Sequence, residues 1–192
     1  MLKFEDAQIV RGGSTRSWSD SIKGTSYEGG VRLRADARDH GQMVYDFGLP
    51  KGGVRDWSDA FGHAVAVWSQ DDPDYIASIR RHSERWVLIP VSPSAEQFSR
   101  LIFRLVEAAL ENTQMKNGES GVQLHSVIVH ETETGYAQCF REDVVNPRMG
   151  LIDLDLIEFS PAITAQWADP KLYKRLKPKP TMIQTELEGL CS

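Results

Sequence analysis

The chain has 192 residues, of which 41% are hydrophobic and 26% charged, an ordinary globular composition with enough length for one substantial core and an appendage rather than two independent domains. A formal net charge of -5 at pH 7 argues against a surface built for nucleic acid, and no apolar run approaches the roughly 20 residues of a bilayer-spanning helix. No basic-then-apolar leader opens the chain, and Cys139 and Cys191 are too few for a disulfide framework, so a cytoplasmic protein with reduced thiols is expected.

LKFEDAQIV at residues 2–10 alternates as a first strand, and 11–22 reads as a polar loop rich in Ser and Gly. YEGGVRLRADA at 27–37 sets Val31, Leu33 and Ala35 against Arg32, Arg34 and Asp36, a half-buried strand in which Gly29 and Gly30 predict a bulge or a close backbone approach. GQMVYDFGL continues the sheet until Pro50, Gly52 and Gly53 break it. From Val54 to Trp68, the residues Val54, Trp57, Phe61, Ala64 or Val65, and Trp68 fall at helical spacing and predict an amphipathic helix that Gly62 weakens. SQDDPD then reads as a loop and RWVLIP at 85–90 as a short buried strand. The clearest helix begins after Ser94, an N-cap with Gln97 three residues on; Phe98, Leu101, Ile102, Leu105, Val106 and Ala109 form its apolar face.

HSVIVHETETGYAQCF at 125–140 is the stretch around which the function is organised. A β-branched run, turn formers ending at Gly135 and a second alternating run predict a β-hairpin. Glu131 stands where its first strand ends. A carboxylate held there presents two acceptors to two adjacent donors on a flat ligand, such as the ring N–H and amino group of a guanine or pterin edge; the plain alternative is an exposed Glu beside a turn. After Asn146, Ile152, Leu154 and Leu156 alternate as an extra strand, and Ser160-Pro161 and Asp169-Pro170 look like N-cap and first-turn pairs of short helices. Lys171, Lys174, Arg175, Lys177 and Lys179 make a basic tail that can contact a nucleic acid or protein partner, a solvated helix face being the commoner meaning. The chain thus divides into a domain at 1–146 and a C-terminal extension at 147–192.

Four landmarks, MVYDF at 43–47, FGH at 61–63, PSAE at 93–96 and VHET at 129–132, occur in the order of the signatures of the 6-pyruvoyl- and 6-carboxy-tetrahydropterin synthases, and the chain resembles that family, whose second branch feeds the queuosine pathway, over roughly residues 3 to 140. The resemblance implies an α+β tunnelling fold: an antiparallel four-stranded sheet with two helices on one face, which homo-oligomerises into a barrel whose sites lie between subunits. It also implies that Glu131, with Thr132, anchors a pterin or purine-like edge, with Glu96 or Ser94 assisting at the helix start, and that His63 is the catalytic histidine.

The departures bear on chemistry. Family enzymes bind zinc through a histidine on the first strand and a His-x-His on the second, and these positions hold Gln8, Lys23 and Thr25, which do not make a zinc donor set. The family's cysteine corresponds to Ser19 or its neighbours, and the Asp that would orient His63 is Gly62. His40, His82, His125 and His130 show no ligand spacing, so neither a metal nor another cofactor is expected. Three readings follow: a zinc-free binder of a pterin, guanine-type nucleotide or 7-deazaguanine precursor; a lyase of the same pathway with a rearranged metal-free site using His63; or a non-catalytic scaffold or regulatory subunit.

Overall fold

Seven strands form one sheet in the order β6-β5-β2-β1-β3-β4-β7 in the computed structural model, which describes residues 2–11, 21–45, 59–115 and 117–167. Strands β1 (Leu2–Gln8) and β2 (Lys23–Arg34) pair antiparallel, as do β5 (Gln123–His130) and β6 (Tyr136–Phe140), and β2 joins the two pairs by an antiparallel ladder to β5. This is the expected antiparallel four-stranded unit. β3 (Ala64–Trp68) extends it parallel to β1, β4 (Trp86–Ile89) lies parallel to β3, and β7 (Glu158–Phe159) closes that side antiparallel to β4.

Helix α1 (Pro73–His82) is capped by the Asp72 carboxylate, which accepts from the Asp74 and Tyr75 amides, and has Pro73 in its first turn. Helix α2 (Ala95–Glu111) starts on Ser94, whose hydroxyl accepts from the Gln97 amide at 3.3 Å. Phe98, Leu101 and Phe103 of α2 are fully buried, and the apolar area that this helix shares with the sheet supplies much of the driving force for folding at roughly 1.5–3 kcal/mol per large side chain. Phe98 packs on Phe4, Tyr27 and Phe61, with centroids 5.6, 5.2 and 5.8 Å away. The opposite face of β3 and β4 buries Val67, Trp86 and Leu88 under Tyr75, Ile76 and Ile79 of α1.

Two short helices, α3 (Arg141–Val144) and α4 (Pro161–Thr164), belong to the chain's last described stretch. Arg100, 1% exposed, ties that stretch to α2: its guanidinium donates to the carbonyls of Asp143, Val144, Met149 and Gly150 and to the Gln97 side chain. Ile152, Leu154, Ile157, Ile163 and Trp167 join the main core.

Several local expectations change. Residues 41–45 form turns and bends rather than strand, and 46–58 lie outside the described residues. The helix expected to reach Trp68 gives way at Gly62: 59–61 are helical, His63 adopts φ +55°, and AVAVW at 64–68, alternating Ala with larger β-formers, becomes β3. SQDDPD ends in helix α1 and is not wholly loop. The sheet irregularity falls between Arg32 and Leu33, opposite the skipped His125, and not at Gly29 and Gly30. Ile152 to Leu156 is not a strand: Leu154–Leu156 is a 3-10 turn capped by Asp153, and the strand follows at Glu158–Phe159. Asp169-Pro170 and the basic tail lie outside the described residues.

Candidate functional site

Strand β1 buries Phe4, Asp6 and Gln8 at 5%, 4% and 0% exposure, so the face of the strand that looks toward α2 carries a carboxyl and an amide inside the protein. Buried polar groups must be paired. The ladder sets Asp6 opposite Thr25 and Gln8 opposite Lys23, and Tyr27, 1% exposed, lies one residue pair lower on the same face. The Gln8 amide bridges the group and serves either proton state of Asp6. With the acid protonated, its O–H faces the amide oxygen and the Gln8 nitrogen donates to the Tyr27 hydroxyl. With the acid ionised, the amide turns, its nitrogen lies 3.0 and 2.9 Å from the two Asp6 oxygens, and its oxygen accepts from Tyr27.

Glu131 directly follows β5. Its amide donates to the Gly135 carbonyl at 3.0 Å, that of Thr132 to the same oxygen at 3.2 Å, and the Gly135 amide to the Thr132 hydroxyl at 2.8 Å. A Cβ on Gly135 would stand 2.8 Å from that hydroxyl, so the turn needs glycine, and Thr132 is committed to shaping it. The Glu131 carboxylate is exposed, yet its charge acts on the buried cluster: Asp6 is pushed up to about 8, first by burial and further by Glu131, against donation from its own backbone. The Tyr27 hydroxyl is pushed up as well, mainly by burial, then by Asp6 and Glu131. One exposed carboxylate beside one buried, proton-holding carboxyl is a pairing common at sites that bind or transform polar ligands. Asp6 and Tyr27 were not singled out by sequence reasoning; the available signal was an acid at an apolar-parity position of an alternating strand.

The other expected residues are dispersed. Ser94 uses its hydroxyl as the α2 cap, and Glu96 is exposed in the first turn, its carbonyl accepting from the Ser99 hydroxyl. Among the described residues no hydrogen bond or ion pair joins either to Glu131. His63 lies on the opposite side of β1, where its amide donates to the Glu5 carbonyl at 2.6 Å and its Nδ1 stands 3.8 Å from Glu5 Oε2. It lines a cavity of about 880 Å³ with Lys3, Glu5, Glu28, Asp59 and Arg85. Ser19 lies outside the described residues.

The three positions that correspond to zinc ligands fail the test of donor chemistry. Gln8 is wholly buried and its amide is engaged with Asp6 and Tyr27; Lys23 is a cation at neutral pH and Thr25 a neutral hydroxyl, and no three His, Cys, Asp or Glu side chains among the described residues are grouped to hold a metal ion. Cys139 is buried, its thiol pushed up to about 12 chiefly by desolvation, an inert position. No helix among the described residues is long and apolar enough to cross a membrane.

Known proteins share the family signature and the fold of this chain. Residues 3–142 match the family model for 6-pyruvoyl tetrahydropterin synthase. Two proteins named 6-carboxy-5,6,7,8-tetrahydropterin synthase, from two Helicobacter pylori strains, are 29% and 27% identical over 92% of this chain and 88% of their own length. Among solved structures, a protein of Wolinella succinogenes superposes with a TM-score of 0.60 at 15% identity, covering 73% of this chain and 94% of its own. The 6-pyruvoyl tetrahydropterin synthase of Plasmodium vivax does so with a TM-score of 0.51 at 18% identity, covering 73% and 91%.

Proposed function

As the chain belongs to the 6-pyruvoyl tetrahydropterin synthase family, we propose that it binds a pterin, guanine-type nucleotide or 7-deazaguanine precursor through Glu131, in a zinc-free site between copies of the chain. The observation that carries this reading is the place of Glu131, exposed at the end of β5, where its amide and that of Thr132 are bonded to the Gly135 carbonyl. Glu131 offers two acceptor oxygens to the donor edge of the ring, and the Gly135 turn fixes the backbone that carries them. The placement of His63 and Glu131 on opposite faces of the sheet supports a site shared between chains, since a small ligand touched by both would meet them on two copies, in keeping with the homo-oligomer that the fold resemblance implies.

The test is titration calorimetry of the purified oligomer with tetrahydrobiopterin, GTP and 7-cyano-7-deazaguanine, using wild type and Glu131→Gln. Replacing a charge-assisted pair of hydrogen bonds by a neutral one costs about 1.5–3 kcal/mol, so the variant should bind its preferred heterocycle roughly 10- to 150-fold more weakly. Equal affinity in both proteins, or no binding of any of the three, removes the proposal.

A second reading, a lyase acting on such a ligand with His63 as its general base, draws support from the contact of His63 with Glu5 and from the names of the Helicobacter pylori relatives. Incubation with dihydroneopterin triphosphate followed by product analysis separates the two, since a binder returns the compound unchanged.

A further inference from the structure

His63 is a non-glycine residue in the left-handed region, with φ +55°, a conformation that disfavours a side chain and persists only when its surroundings impose it. The imposing group is Arg85. Its guanidinium donates to the Gly62 carbonyl at 3.1 Å, the Asp59 carbonyl at 2.7 Å and the Gln166 side-chain oxygen at 2.7 Å, pinning the turn on both sides of Gly62. On the other flank the His63 amide is bonded to the Glu5 carbonyl. Glycine would satisfy such a backbone without strain, whereas here three hydrogen bonds to backbone groups hold the turn with an imidazole on it.

That side chain is 82% exposed, opens into the cavity of about 880 Å³, and faces one carboxylate at 3.8 Å, Glu5 Oε2. The other Glu5 oxygen accepts from the Ser26 hydroxyl at 3.5 Å. The remaining charged groups around the imidazole are engaged elsewhere: Lys3 pairs with Glu28 across β1 and β2, Arg85 braces the turn, and Asp59 has interactions of its own. At 3.8 Å the pair is longer than a hydrogen bond; closing it would place the carboxylate on Nδ1, fix the tautomer and leave Nε2 as the proton acceptor, and catalytic contacts commonly tighten in this way when a ligand binds.

We propose that Glu5 is the positioning residue for His63, supplying from β1 the carboxylate that the chain lacks at Gly62, with Ser26 steadying Glu5 and Arg85 bracing the turn. The inference rests on the lyase reading for its catalytic consequence, whereas the contact itself stands apart from it. Glu5 holds the backbone of His63 through its carbonyl, so changes to its side chain leave the turn intact.

The experiment reads the His63 tautomer from its imidazole nitrogen shifts in the full chain, for wild type, Glu5→Gln, Glu5→Asp and, as a control in the same cavity, Glu28→Gln. Wild type is expected to carry its neutral proton on Nδ1. Glu5→Gln should lose that preference, with Glu5→Asp and Glu28→Gln retaining it. In turnover of dihydroneopterin triphosphate Glu5→Gln should lower kcat with little change in KM, and Glu28→Gln should leave kcat unaffected. An unchanged tautomer in Glu5→Gln overturns the proposal. A changed tautomer with no product from wild type retains the contact and removes only the lyase reading.

Discussion

The buried carboxyl of Asp6 makes stability depend on pH in a direction opposite to that of most acids. Its ordinary value is 3.8 and burial with Glu131 nearby raises it to about 8. Between those limits the folded chain holds one proton more than the unfolded chain, so stability is full below about pH 4, falls by about 1.4 kcal/mol per pH unit as the solution rises toward pH 8, and is flat above. The whole fall between those limits is roughly 5–6 kcal/mol. Asp6→Asn keeps the shape and the hydrogen bonds to Gln8 and cannot ionise. It should match wild type near pH 4 within about 1 kcal/mol and exceed it by several kcal/mol near pH 9. Urea unfolding of both proteins at fixed protein concentration, since assembly adds its own dependence, reads the difference directly. A wild-type-minus-variant difference that is constant from about pH 5 to about pH 9 would falsify the buried-proton argument.

Arg100→Ala leaves four backbone carbonyls and the Gln97 side chain without their donor and should cost about 3–5 kcal/mol by denaturant unfolding, with residues 141–150 becoming susceptible to proteolysis first. His63→Gly should raise stability by up to about 1 kcal/mol, because glycine accepts φ +55° without strain, while abolishing any turnover that the wild type shows; a destabilised His63→Gly would show that the turn imposes no strain on histidine.

How much of this was legible in the sequence depends on whether the deciding contact is local. The hairpin, β1, β2, β4 and the capped helix α2 follow from alternation, turn formers and an N-cap, all set within a few residues. Helix α1 also had local signals, Asp72 before Pro73 and an Asp in the first turn, but a loop reading of the acidic stretch masked them. The helix expected over 54–68 gives way at 64–68 because AVAVW suits a helix face and a buried parallel strand equally, and only its partners β1 and β4 decide. At the site, Glu131 could be chosen from its place at a strand end, whereas Asp6 could not: an acid on the apolar parity of a strand reads as a lapse in the pattern until Gln8 and Tyr27 are seen beside it. The Glu5 to His63 contact spans 58 residues of sequence and has no signature in either segment.

The same parity argument bears on why a site split across the sheet can still be one site. Glu5 and Asp6 are neighbours in the chain and therefore point to opposite faces, carrying His63 with the one and Glu131 with the other; no side-chain motion within a single chain brings the two together through the strand. Among the described residues the sheet ends at β6 and at β7, with β1 held between β2 and β3. Exposed margins favour pairing with another strand, and a neighbouring chain paired on β6 would stand close to Glu131, one turn from Tyr136. A second chain at that margin would bring its own groups to the ligand that Glu131 holds in the proposed binding reading, with no motion through the strand required.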